Sequence, residues 1–220
     1  MISTILFDLD GTLTDPKLGI TRCVQHALAH FGIIEPDLDK LEVFIGPPLQ
    51  EMFASYAHLD WEQAAEAVAV YRERFAPVGI FENEVYPGIP EMLGRLREAG
   101  LHLGLATSKP EVYARRILDH FGLSPLLDEV TGSELSGERT HKDDVIREAM
   151  RRMHADPGST LMVGDREHDI IGAHAAGIPC IGVLFGYGSE AELSAAGAQA
   201  LAQDPADLVQ QILTICSARP

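Results

Sequence analysis

The sequence predicts an α/β fold: a three-layer core with a parallel sheet, carrying an inserted α-helical domain. Short apolar runs alternate with helical stretches of roughly ten residues, the pattern of βαβ units. Residues 16–81 break that alternation, with helical periodicity and no convincing strand. That segment is too long to be a loop. The core is therefore expected in two pieces, residues 1–15 and 82–220, with residues 16–81 as a helical cap domain.

Residues 2–7 are an apolar run that stops at Asp8-Leu9-Asp10-Gly11-Thr12, a buried strand feeding a polar loop. Ile20, Cys23, Val24, Ala27, Leu28 and Phe31 then recur at helical spacing. Gly46-Pro47-Pro48 turns the chain into a second helical stretch, and Ala64, Val68, Tyr71 and Phe75 mark a third. Strand and helix begin to alternate after Tyr86-Pro87-Gly88. A helix over 89–99 stops at Gly100, and a strand over 101–106 ends at Thr107-Ser108. Pro110 is expected in the first turn of the next helix, where its missing N–H costs nothing. A strand near 127–131, a helix near 142–153 and a strand over 160–163 follow, the last ending in Gly164-Asp165. A helix over 168–176, a strand over 180–184 and a helix from 205 complete the chain. Residues 189–204, rich in Ala, Ser, Gly and Gln, receive no element.

With 220 residues, 46% of them apolar, the chain can bury a sizeable core. Its net charge of −16 argues against a nucleic-acid polymer or an anionic membrane as partner. A phosphorylated substrate stays open, because a bound cation supplies positive charge locally. Cys23, Cys180 and Cys216 are far apart, odd in number and in apolar or small-residue surroundings, which suits free thiols in a reducing compartment. The first apolar run has no basic leader or small-residue cleavage site, and no run reaches the roughly 18 residues of a membrane helix. A cytoplasmic protein is expected. Monomer and homodimer both suit the sequence.

Ligands of open parallel sheets bind beyond the carboxyl ends of the strands. Asp8 and Asp10 follow the first strand, Thr107 and Ser108 the second, and Asp165 the strand at 160–163; Asp169 lies four residues on, and Lys142 opens a helix. Clustered carboxylates repel one another unless a cation joins them. Magnesium takes oxygen ligands, and an aspartate can attack phosphorus. A phosphoryl dianion would need that metal and a lysine to approach the carboxylate. A second acid two residues along the strand would point to the same face as the nucleophile and suits proton transfer. A hydroxyl beside backbone N–H groups at a helix start suits a phosphate oxygen.

Asp8-Leu9-Asp10-Gly11-Thr12-Leu13-Thr14-Asp15 resembles the first signature motif of phosphatases of the haloacid dehalogenase (HAD) superfamily. Thr107-Ser108-Lys109-Pro110 is similar to the second motif, Lys142 fits the third, and Gly164-Asp165-Arg166-Glu167-His168-Asp169 is similar to the fourth. The motifs keep the family's order and span nearly the whole chain. The resemblance implies a Rossmann-like core with a C1-type cap that closes over the site. It implies a magnesium-dependent phosphatase acting on a small phosphorylated metabolite through an aspartyl-phosphate. Asp8 would be nucleophile and metal ligand. Asp10 would be acid/base, with its backbone carbonyl on the metal. Lys142 would neutralise charge, and Asp165 and Asp169 would complete the metal site. Thr107, Ser108, Gly11 and Lys109 would surround the substrate, Gly11 by permitting a tight backbone excursion.

Thr140-His141-Lys142-Asp143-Asp144-Val145-Ile146, with Asp15 and the Gly-Pro-Pro loop, is similar to a bacterial 5′-nucleotidase branch. Nucleoside 5′-monophosphates are therefore the expected substrate and phosphoglycolate the main alternative. A sugar phosphomutase or a non-catalytic binding protein would use the same fold. His141, His168 and the remaining histidines are expected at the surface, and Arg22, Arg72 and Arg74 as solvated charges on the helical segment.

Overall fold

The computed structural model describes residues 1–217, which form two compact units: 1–14 with 85–217, and 15–84. The strands are β1 (Thr4–Phe7), β2 (Thr14–Asp15), β3 (Glu84–Val85), β4 (His102–Pro110), β5 (Glu129–Ser133), β6 (Thr160–Gly164), β7 (Cys180–Val183) and β8 (Ala200–Ala202). The helices are α1 (Lys17–His30), α2 (Leu49–Tyr56), α3 (Trp61–Phe75), α4 (Ile89–Glu98), α5 (Glu111–His120), α6 (Lys142–Arg152), α7 (Glu167–Ala175), α8 (Glu190–Ala195) and α9 (Pro205–Ser217).

In the larger unit six parallel strands lie in the order β5-β4-β1-β6-β7-β8. β1, β6 and β7 are buried throughout, and β4 from Leu103 to Thr107, hence the short apolar runs there. Successive side chains point to opposite faces. Leu6, Ala106, Met162 and Cys180 enter one buried cluster with Val145 and Ile146 of α6, Ile170 and Ala173 of α7, and Leu193 of α8. Helices α4, α5 and α9 take the other side, as right-handed crossovers require when the chain moves first toward β5 and then toward β8. The result is the expected three-layer α/β core.

Register sets up the site. Phe7 pairs with Leu105 on one side and with Val163 on the other. The next residues, Asp8, Ala106 and Gly164, therefore lie level near the carboxyl ends of the central strands. The chain reverses direction across the sheet here, from β4 and β5 to β6 and β7, where open α/β sheets place ligands.

The smaller unit is helical, built on α1, α2, α3 and two 3₁₀ turns. Cys23, Val24, Ala27 and Leu28 of α1 are buried, as are Phe53 of α2 and Ala64, Ala67, Tyr71 and Phe75 of α3. A capping box starts α3: Gln63 N donates to Asp60 Oδ1 at 2.9 Å, and Asp60 N to Gln63 Oε1 at 3.1 Å.

Three local expectations need correction. Pro110 does not lie inside α5; it ends β4 and caps the helix from outside, past a register shift between Thr107 and Pro110. The second core strand therefore runs four residues beyond the expected end at 106. Residues 189–204 hold α8 and β8. Ser189 Oγ accepts from Glu192 N at 3.1 Å to cap α8, and β8 joins the sheet edge beside β7. Finally, Arg22 is exposed as expected, but Arg74 is largely covered. Both meet Glu82, at 2.7 Å each, and this pairing holds the Glu82 carboxyl below its ordinary range.

Candidate active site

Asp8 follows the last residue of β1, and its N–H donates to Val163 O at 2.9 Å, so the sheet ladder fixes its backbone. The chain then turns tightly. Leu9 O accepts from the N–H groups of Thr12, Leu13 and Thr14 at 3.2, 2.9 and 3.0 Å. The turn needs a left-handed residue, and Gly11 supplies it at φ +83°. A Cβ at Gly11 would also run into the Asp165 carboxylate. Asp8 and Asp10 thus lie on a turn and not along a strand, so strand alternation is not what places Asp10.

Asp8, Asp165 and Asp169 are buried, and each offers a carboxylate oxygen within 4.8 Å of the others. Asp165 Oδ1 accepts from Thr12 Oγ1 at 3.2 Å and Oδ2 from Tyr187 N at 2.9 Å. Asp169 Oδ2 accepts from Arg166 N at 3.0 Å across the first turn of α7. Gly164 gives clearance to this aspartate, since a Cβ there would overlap its carboxyl group.

Lys142 opens α6 with its side chain 5% exposed. Its Nζ lies 2.9 Å from Asp8 Oδ1 and 2.7 Å from Asp169 Oδ1, and donates to Ala106 O at 3.0 Å. Both carboxylate contacts are close ion pairs within a buried cluster. Burial works to lower the lysine pKa, but Asp169 and Asp8 outweigh it and hold the ammonium above its ordinary range. A Cβ at Gly172 on α7 would collide with the stem of this lysine, so α6 and α7 must approach closely there.

Burial raises Asp165 well above the usual carboxylate range, and Asp169 and Asp8 push it further. Burial also raises Asp169, against the opposing pull of Lys142. One ammonium among three buried carboxylates leaves negative charge without a partner, and each such ion costs on the order of several kcal/mol. A bound divalent cation would remove that cost. The three buried carboxylates converge with an all-oxygen donor set, so the residues fit a hard metal ion.

Asp10 lies at the rim of this cluster. Its carboxylate is paired with Lys109 through Oδ2, and its Oδ1 is buried without a hydrogen-bond partner. Burial raises its pKa against the opposing effect of Lys109. Thr107 is buried in β4 just before its register shift, and its Oγ1 accepts from Lys109 N at 3.3 Å. Ser108 O accepts from Ser133 Oγ at 2.7 Å. Lys109, expected to touch substrate, thus has its ammonium on Asp10. His141 and His168 are exposed. Cys23 and Cys180 are buried thiols outside any disulfide, and Cys216 is a partly buried one.

The sequence reading missed the residues that brace Asp165. These are Thr12, the Tyr187 N–H, and Gly186 and Gly188, where a Cβ would strike Asp165 or Gly11. The signal was the close glycine pair in Phe185-Gly186-Tyr187-Gly188, since paired glycines mark close backbone approach.

A family model described as haloacid dehalogenase-like hydrolase matches residues 5–183. A 5′-nucleotidase of Pseudomonas aeruginosa is 53% identical, covering 87% of this chain and 86% of the relative. The tyrosine-protein kinase PtkA of Mycobacterium tuberculosis is 41% identical over 84% of this chain and 62% of its own length. A phosphoglycolate phosphatase of Rhodospirillum rubrum is 30% identical over 94% of this chain and 90% of the relative. The crystal structure of a predicted phosphatase from Clostridium acetobutylicum superposes with a TM-score of 0.95 at 44% identity, covering 97% of this chain and 99% of that one.

Proposed function

The chain belongs to the haloacid dehalogenase-like hydrolases, and from that premise we propose a magnesium-dependent phosphomonoesterase acting on nucleoside 5′-monophosphates, with Asp8 as nucleophile. The observation that carries the reading is the buried convergence of Asp8, Asp165 and Asp169, two of which, Asp8 and Asp169, pair with Lys142. The choice of nucleotide rests on the Pseudomonas nucleotidase, which shares far more identity with this chain than the Rhodospirillum phosphoglycolate phosphatase does.

A carboxylate oxygen of Asp8 attacks phosphorus. The Asp8–phosphorus bond forms as the bond to the substrate oxygen breaks, and the electron pair leaves with that oxygen. Asp10 supplies the proton it needs, worth roughly 10²–10⁴-fold in rate for a poor leaving group. Water then attacks the aspartyl-phosphate, Asp10 takes its proton, and inorganic phosphate departs from the regenerated Asp8. Lys142 offsets the charge of Asp8 and of the phosphoryl oxygens. Thr107 and Ser108 receive those oxygens at the end of β4, and Gly11 lets the turn fold against Asp165. Asp8, Asp165 and Asp169, with the backbone carbonyl of Asp10, would hold the magnesium ion, which would supply positive charge to offset the repulsion between a phosphoryl dianion and a carboxylate.

The test is phosphate release, with magnesium present, from IMP, GMP, AMP, phosphoglycolate and several sugar phosphates. A preference for a nucleotide is expected. A preference for phosphoglycolate would overturn the substrate assignment and leave the chemistry standing. Isomerised sugar phosphate with little free phosphate would point to a mutase.

A further inference from the structure

Lys109 lies two residues past Thr107, and 99 positions separate it from Asp10 in the chain. The two side chains are nonetheless ion-paired and largely withdrawn from solvent, 6% exposed for the lysine and 11% for the aspartate. The pair engages Asp10 Oδ2, while Oδ1 is buried with no hydrogen bond among the described residues. A single ammonium therefore fixes the direction in which this carboxyl group faces. The lysine is itself held on both sides. Its N–H donates to Thr107 Oγ1 at 3.3 Å, and the preceding carbonyl, Ser108 O, accepts from Ser133 Oγ at 2.7 Å. Around it, Thr107 and Pro110 pair with Gly132 and Ser133 of β5. The second buried ammonium, Lys142, is committed to Asp8 and Asp169. The two lysines thus serve different carboxylates.

We propose that Lys109 is a positioning residue that acts through Asp10, holding the carboxyl that serves the leaving group, and does not bind the phosphoryl group. The proposal rests on the phosphatase reading above. An acid must lie within hydrogen-bond reach of the atom it protonates, and a displacement of about 1 Å can lower the rate roughly 10²-fold. The consequence is a dependence on the leaving group. An alkoxide needs a proton as its bond to phosphorus breaks, whereas para-nitrophenolate departs as a stable anion. Loss of Lys109 should therefore harm the first kind of ester and spare the second.

The experiment measures kcat/KM for an alkyl phosphate monoester and for para-nitrophenyl phosphate with wild type, Lys109→Met, Asp10→Asn and the double variant. For Lys109→Met the alkyl ester is expected to lose about 10²-fold and the nitrophenyl ester less than about 3-fold. In the Asp10→Asn background the lysine substitution should change nothing further, because residues acting as one unit are not additive. Equal losses on both esters, or additive effects of the two substitutions, would overturn the proposal and place Lys109 on the phosphoryl group. The double variant removes both charges of the buried pair, so it remains readable if Lys109→Met alone does not fold. Activity equal to Asp10→Asn supports the proposal, and activity below it contradicts it. A wild-type chain inactive on both esters would remove the phosphatase reading, and this proposal with it.

Discussion

Asp8 and Asp10 stand two positions apart and meet different partners. Lys142 pairs with Asp8 at 2.9 Å, while Asp10 is held by Lys109. Substitution should separate their roles. Asp8→Asn should abolish turnover while thermal unfolding stays cooperative, because the amide keeps the shape and loses the nucleophile. Asp10→Asn should leave a slow enzyme, about 10²–10⁴-fold down in kcat on an alkyl ester, because proton transfer accelerates a reaction that the nucleophile can still begin. Steady-state assays of the two variants check this; equal residual activity in both would contradict the division. Much of the cluster is legible in the sequence. Asp8, Thr107 and Asp165 each follow an apolar run, and parallel strands end at one edge. The pairing of Lys109 with Asp10 is not legible. It depends on where two loops place their side chains, and nothing local in either segment encodes it. The bracing of Asp165 by Thr12 and Tyr187 escapes for the same reason.

Helix α6 carries Lys142 at its first residue and an ion cluster near its last turn. Glu148 accepts from Arg151 Nε at 2.7 Å and from Arg152 Nε at 2.8 Å. Arg151, then Arg152, hold the Glu148 pKa down to about 2, against an ordinary value of 4.5. Arg151 is largely exposed, so solvent screens its share; Arg152 is three-quarters covered and also reaches Glu111 at 2.9 Å. A carboxylate with a depressed pKa stabilises the fold above its unfolded value and loses that contribution as pH falls toward the folded value. Glu148→Gln should therefore lower Tm at pH 6, and the gap to wild type should close between pH 4.5 and about 2. Thermal melts across that range test it, and a gap that widens on acidification would contradict it. Elements were legible in proportion to their burial. β1, β4, β6 and β7 announce themselves as apolar runs. β8 has three residues, two of them alanine, at the sheet edge, and α8 buries essentially one side chain, Leu193. Neither offers a period long enough to detect. Pro110 fits a strand end as well as a first helical turn, since neither requires its missing N–H.

At the scale of the molecule, the alternation of strand and helix outside residues 16–81 foretold the α/β core, and the helical periodicity inside them foretold the helical insertion. Among the described residues no helix is long and apolar enough to cross a membrane. The acidic cluster links metal binding to the stability of the larger unit. Burial and mutual repulsion disfavour the charged forms of Asp165 and Asp169, and a cation relieves both. Magnesium at about 100 times its Kd should stabilise the fold by about 2.7 kcal/mol, or roughly 5–10 °C in the core transition. Chelation should reverse the shift, and Asp169→Asn should abolish it. A melt indifferent to magnesium would contradict the metal assignment. The central claim, that Asp8 carries the phosphoryl group during turnover, is tested most directly by acid-quenching the reaction within a single turnover and mapping the peptides by mass spectrometry. The account predicts one added phosphoryl group on Asp8, absent from Asp8→Asn and from enzyme quenched without substrate. Turnover with no adduct, or an adduct on another residue, would contradict it.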